Sequence, residues 1–310
     1  MPAFDKLVSF VSSQLERSSS TIQSQEVIPL DQTLFRPVVP LSGALVFVDG
    51  GNAEMLSGPH VSVQFVRLYT GWCVDNKCVR RLVDEFFMTV VLKEKVFEVS
   101  LFALDGRVLY CWSIDAFEPN LCVGNRMAQA RAVAGYFRAV LEFERLAQAA
   151  AKDVILVRDG DLEAQGEPLV RAKELLVQNA QGPIFGLAKT SALCTDVGDS
   201  ALVALRSRAP SGAWWYDGGK VCFAKLHANS KYVFRCDVEG NPEGAFAALA
   251  SNSTDPAFLG YPYGLVEADK LAQVTNEERA QLRLRFALES KGKFADVLAA
   301  ADAHDVLNLF

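Results

Sequence analysis

The chain has 310 residues, half of them hydrophobic, and 37 acidic against 31 basic side chains give a formal net charge of −6. This length supports one large core or two modest ones. No run of 18 apolar residues is present to suggest a membrane-spanning helix. The acidic balance argues against a general nucleic-acid coat protein but leaves room for a local basic channel beside an acidic centre. Three histidines without ligand-like spacing offer no zinc site. Seven scattered cysteines without a C-x-x-C pair read as reduced thiols of a cytoplasmic protein, and MPAFDKLVSF lacks the cleavage pattern of a secretory signal.

In chain order, Phe4, Leu7, Val8, Val11 and Leu15 recur at helical spacing and predict a helix that stops at Ser18–Ser20. A polar, proline-containing stretch follows to about Pro40, so 1–40 reads as an N-terminal helix and linker ahead of a domain over 41–310. ALVFVDGGN predicts a buried strand ending at Asp49, with Gly50 and Gly51 opening a turn. HVSVQFVRLYTGW (60–72) is a second strand, and VRRLVDEFFMTVVLKEK (79–95) is ambiguous, open to reading as a helical insertion. VFEVSLFAL and RVLYCWSID flank Asp105–Gly106, a two-residue hairpin signal. The first third therefore reads as an antiparallel meander.

Residues 126–151, rich in Ala, Arg, Glu and Leu, predict a long helix feeding the short apolar strand DVILV. A helix over 167–179 and a strand in GPIFGLAKTS, with Lys189 near its end, come next. Trp214, Trp215 and Tyr216 offer either a stacking platform for a single strand or strand residues shared between core and surface. KVCFAKLH and KYVFRCDV form a second hairpin, and EGAFAALAS a helix. YPYGLVEADKLAQVTNEERAQLRLRFALE divides into two helices near Thr275, which is spaced from Glu278 as a capping box. The tail from Ala295 to Phe310 reads as a docked helix. This order fits a single α/β domain with a mixed sheet.

Asp49 and Asp159 both follow buried-type strands and both precede glycine. Ligands bind at strand ends in such sheets. If the two strands are neighbours, the carboxylates repel in a low-dielectric site unless a hard divalent cation such as Mg²⁺ or Mn²⁺ lies between them. Either motif alone is also ordinary Asp-Gly turn chemistry.

The blocks LVFVDGGNAEM, RAVLEFERLAQAAAKDVILVRDGDLE, FGLAKTS and GYPYGLVEADKLA, in this order over roughly residues 41–275, resemble the NurA nuclease family. The resemblance implies an RNase H-like mixed sheet flanked by helices and a homodimer. It also implies a metal-dependent deoxyribonuclease with one or two Mn²⁺ or Mg²⁺ ions, acting on DNA as a 5′-to-3′ exonuclease and single-strand endonuclease. The implied role is DNA end resection and double-strand break repair, with a HerA-type hexameric ATPase as partner. Asp49 matches the family's first-strand acid, Asp159 the acid of its central Asp-Gly motif, and Glu142, 17 residues earlier, the glutamate of the preceding helix; Glu144 is the rival on another face. Lys189 matches the lysine of the GLAK block. The family pattern leads from Tyr261 to a histidine eight residues on, where this chain has Asp269. An aspartate keeps a metal-ligand role there better than a proton-transfer role.

The resemblance thus assigns Asp49, Glu142, Asp159 and Asp269 to the metal, and Lys189 and Tyr261 to the DNA. Two rivals remain. VDGGN as a phosphate-binding turn suggests an actin-like or sugar-kinase-like nucleotide-binding domain, although Gly186 and Lys189 are too far apart in sequence for a P-loop. A nuclease fold degraded to a binding module is the other, supported by the Asp269 departure.

Overall fold

A computed structural model describes residues 2–15, 19–294 and 296. In chain order, helix α1 (Pro2–Leu15) precedes the short strands β1 (Thr21–Gln23), β2 (Ile28–Pro29) and β3 (Phe35–Pro37). A run of long strands follows: β4 (Ala44–Gly58), β5 (Val61–Val74), β6 (Lys77–Lys93), β7 (Val96–Ala103) and β8 (Val108–Asp115). Next come α2 (Ala130–Ala149), β9 (Val154–Asp159), α3 (Glu167–Asn179), β10 (Ile184–Ala188), β11 (Cys194–Thr195) and α4 (Ala201–Arg208). The chain continues through β12 (Trp214–Tyr216), β13 (Val221–Lys225), β14 (Phe234–Glu239), α5 (Glu243–Ser251), α6 (Tyr263–Ala272) and α7 (Asn276–Glu289). Among the described residues no helix is long and apolar enough to cross a membrane.

The chain divides into two compact units, Met1–Gly43 with Gly160–Leu162 and Pro183–Tyr263, and Ala44–Asp159 with Glu163–Gly182 and Gly264–Phe310. In the first, β3, β12, β13, β14 and β10 pair antiparallel in that order, and β11, β1 and β2 form a small second sheet. Trp214, Trp215 and Tyr216 are all buried there, and the Phe35 ring meets Trp214 and Tyr216 edge-on at 5.0 and 4.8 Å. They are core residues, with no stacking face left for a nucleic-acid strand.

The second unit holds the mixed sheet, in the order β9-β4-β5-β6-β7-β8. β9 runs parallel to β4, and every other neighbour is antiparallel. The crossover from β8 to β9 passes through α2, as parallel pairing requires. α2 buries Val133, Phe137, Val140 and Leu146. Each such side chain contributes about 1.5–3 kcal/mol by leaving water.

Two sequence expectations change here. Of the segment over 79–95, residues 79–93 belong to the extended strand β6, paired with β5 on one side and β7 on the other. Its run of Val79, Val83, Phe86, Phe87, Val90 and Val91 suits a pleated surface, and pairing on both flanks decides against a helix. β4 likewise does not stop at Asp49 but runs through Gly50 and Gly51 to Gly58. The helix over 4–15 is present as α1, but its apolar stripe is exposed: Phe4, Leu7, Val8 and Val11 are all open to solvent. The helix expected from Ala295 to Phe310 lies outside the described residues, apart from Asp296.

Candidate metal centre

The two glycines after Asp49 explain how helices reach both faces of β4. Side chains alternate along a strand, and a side chain on Gly50 would run into the Glu142 carboxylate and Arg138 of α2. One on Gly51 would strike the Ala272 carbonyl at the end of α6. The same parity puts Phe47 toward α6, where Gly264 admits its ring. Asp49 therefore faces the α6 side of the sheet and Glu142 approaches from the α2 side. The sequence Asp-Gly-Gly is here a device for close packing on both faces, and the local turn signal is overridden.

Asp159 ends β9 one step beyond the last paired residues, Val48 and Arg158, which places it beside Asp49 at the sheet's parallel step. Asp269 comes from α6, on the face Asp49 looks toward. Each of the three offers a carboxylate oxygen, and these oxygens all lie within 4.8 Å of one another. Asp49 is the most enclosed and Asp269 the most exposed. Burial is the largest influence on Asp49, and the negative charges of Asp159 and Glu142 add to it; together they push its carboxyl up to about 7. The Gly50 amide, donating to Asp49 Oδ1 at 2.7 Å, and the nearby Arg138 pull the other way and do not prevail. Three hard oxygen donors crowded this closely fit a divalent cation of the Mg²⁺ or Mn²⁺ type.

Glu142 is not among these three. It is 1 % exposed and lies between two arginines. Arg158 donates to its Oε2 from Nε at 2.9 Å and from Nη2 at 2.7 Å, and Arg138, one helical turn earlier, approaches its Oε1 at 3.1 Å. Arg138 also donates to the Gly50 carbonyl, and the Arg158 guanidinium stacks over Phe143 at 4.9 Å. This Arg138–Glu142–Arg158 triad locks α2 onto β4 and β9 directly behind the aspartates. Sequence reasoning assigned no role to either arginine. The i, i+4 spacing of Arg138 and Glu142 on one helix face was the available signal.

Lys189 and Tyr261 belong to the other unit and stand together there, with the Lys189 ammonium 5.6 Å from the centre of the Tyr261 ring. Tyr261 is buried and packs against Phe234 at 5.1 Å. What its ring offers is a platform that holds the lysine, since a buried face cannot take a base. In the same unit the turn after β9 is pinned by two hydrogen bonds: Gly160 N–H to the Leu187 carbonyl at 3.0 Å, and Leu162 N–H to Asp237 Oδ2 at 2.9 Å.

No family model matches the sequence, and no curated protein matches it. Solved structures do. The NurA nuclease from Sulfolobus solfataricus superposes with a TM-score of 0.58 at 12 % identity, covering 93 % of this chain and 94 % of that one. The chain has the fold of a NurA nuclease. More distant likenesses are the catalytic domain of human Endonuclease V, with a TM-score of 0.37 at 16 % identity over 83 % of this chain and 93 % of that one, and Clostridium butyricum Argonaute, with a TM-score of 0.33 at 10 % identity over 82 % of this chain and 28 % of that one. Within the NurA-type fold, Asp269, the position where the sequence departs from the expected histidine, lies with Asp49 and Asp159.

Proposed function

We propose that this protein is a divalent-metal-dependent nuclease that hydrolyses phosphodiester bonds of DNA. The observation that carries this reading is the convergence of Asp49, Asp159 and Asp269, from two strands and a helix, in a fold shared with a NurA nuclease. Asp49, Asp159 and Asp269 would hold one or two Mn²⁺ or Mg²⁺ ions. Such ions supply charge neutralisation at the phosphate and an attacking water of lowered pKa. Among the chain's own groups, Asp49 and Asp159 form the rigid wall of the site, because both sit on paired strands. Asp269 closes it from α6. Glu142, fixed by Arg138 and Arg158, adds negative potential behind Asp49 and is the fourth carboxylate of the proposed metal environment. Lys189, supported by Tyr261, is the proposed cation for the charge that develops on the phosphate.

The finer reading rests on the resemblance of the four sequence blocks. It comprises 5′-to-3′ exonuclease and single-strand endonuclease action, DNA end resection and double-strand break repair with a HerA-type hexameric ATPase, and a homodimer.

The test is to incubate end-labelled single-stranded DNA with the purified chain in Mn²⁺, in Mg²⁺ and in EDTA. Cutting is expected with a metal, none in EDTA, and none with Asp159→Ala. No cutting under any divalent ion, or full activity in Asp159→Ala, would overturn the proposal.

A further inference from the structure

We infer that the polar groove beside β4 binds the sugar-phosphate backbone of a single DNA strand and carries it along β4, past Asp49. The inference takes its direction, toward the metal centre, from the nuclease reading. β9 pairs with β4 only over Ala44–Val48, whereas β4 continues to Gly58. Among the described residues no strand pairs with β4 on that flank beyond Val48. A groove of about 940 Å³ follows this part of β4, walled by the start of α2 and the start of α7. α2 packs on the Gly50 face of the strand. α7 packs on the other, where Arg67, paired with Gly51, meets Glu278 at 2.9 Å. A groove walled by both helices must open at the strand's edge.

Its charge runs against that of the chain. The net charge of the whole is −6, but among the described residues the charged side chains lining the groove are Arg131, Arg279, Arg283 and Glu54. Arg279 and Arg283 are one turn apart on the same face of α7, about 6 Å along its axis, the scale of one nucleotide step in an extended strand. Asn52 lies three residues past Asp49 on β4, roughly 10 Å away at strand rise.

The floor is polar by construction. Asn52 Nδ2 donates to Gln64 Oε1 at 2.8 Å, Gln64 Nε2 to Ser62 Oγ at 2.7 Å, and Ser62 Oγ to Glu54 Oε1 at 2.7 Å. Gln64 and Ser62 are 1 % and 0 % exposed. A sheet face normally buries apolar side chains, and a buried amide left unpaired is destabilising. A fully paired relay at this place holds Asn52 and Glu54 in fixed positions at the groove. Among the described residues no aromatic side chain lines it, so these offer phosphate contacts without base stacking, hence binding independent of sequence. Its volume is that of a pocket for a small ligand, enough for a few nucleotides of one strand and too small for a duplex.

The experiment measures anisotropy of a labelled single-stranded 12-mer against the full chain in EDTA, where nothing is cut, across a salt series. Arg131→Gln/Arg279→Gln/Arg283→Gln should weaken binding at least tenfold and lower the slope of log affinity against log salt by about 2, or about 0.7 per phosphate contact. Arg279→Lys/Arg283→Lys should keep that slope, which separates loss of charge from damage to the fold. Unchanged affinity and slope in the triple variant would overturn the inference, as would equal binding of a blunt duplex through the same arginines. Metal-dependent cutting by the wild-type chain is scored separately. Strand binding lost with the arginines but no cutting under any ion would sink the nuclease reading and leave the groove standing. Cutting with normal binding in the triple variant would do the reverse.

Discussion

Asp49→Asn separates a carboxylate that strains the metal-free protein from one that supports it. Burial and the nearby charges of Asp159 and Glu142 raise the Asp49 carboxyl from 3.8 to about 7. The folded chain therefore binds this proton more tightly than the unfolded chain does. Stability from this group is present in full below about pH 4 and is lost as pH rises toward 7. About 3 units at 1.36 kcal/mol each is about 4 kcal/mol of destabilisation by pH 8. The neutral isostere removes that penalty, so Asp49→Asn should unfold roughly 6 °C higher than the wild type at pH 8 in EDTA. At pH 4, where the wild-type group is protonated, the two should melt together. Differential scanning calorimetry from pH 4 to 8 provides the comparison. Added Mn²⁺ should stabilise the wild type, by about 2.7 kcal/mol at a hundredfold excess over its dissociation constant, and leave Asp49→Asn nearly unmoved. A variant no more stable than the wild type at pH 8 would refute the argument that the carboxylates are crowded.

Glu142→Gln should act in the opposite sense. It removes the carboxylate charge that Arg158, 8 % exposed, meets at 2.7 Å, and losing one partner of a buried ion pair costs about 3–5 kcal/mol; a urea midpoint indistinguishable from wild type would contradict the triad. Gly264→Ala drives a methyl group into the Phe47 ring, which is fully buried. Overpacking of this kind costs about 1–3 kcal/mol, and the shift of α6 should weaken Mn²⁺ binding through Asp269. Unaltered melting and unaltered calorimetric titration would show that α6 does not depend on that contact.

The elements legible in the sequence were those set by local chemistry. The Asp105–Gly106 hairpin joins β7 to β8, with Gly106 at positive φ. The Thr275–Glu278 capping box is formed in both directions at the start of α7. α3 occupies 167–179 as its pattern predicts. The strands of the meander other than 79–95 and the apolar strand leading to Asp159 also followed from runs of strand-type residues. What could not be read depended on neighbours distant in the chain. Gly50 and Gly51 carry a turn signal, but their lack of side chains serves the approach of α2 and α6. The segment over 79–93 is extended because β5 and β7 flank it. Asp49, Asp159 and Asp269 were each proposed, and they converge. Glu142 was proposed alongside them, yet the face from which α2 approaches β4 is a tertiary fact. That face gives the glutamate to Arg138 and Arg158. The groove arginines are spread over α2 and α7, far apart in sequence, and form no basic run.

The central claim is that Asp49, Asp159 and Asp269 together hold a divalent cation. Anomalous diffraction from crystals of the chain soaked in Mn²⁺ tests it directly. The account predicts a peak bonded to an oxygen of each of the three aspartates, at about 2.0–2.2 Å as for small hard cations, and no such peak in Asp159→Ala crystals. A manganese peak elsewhere, with these three side chains turned away from one another, would contradict it.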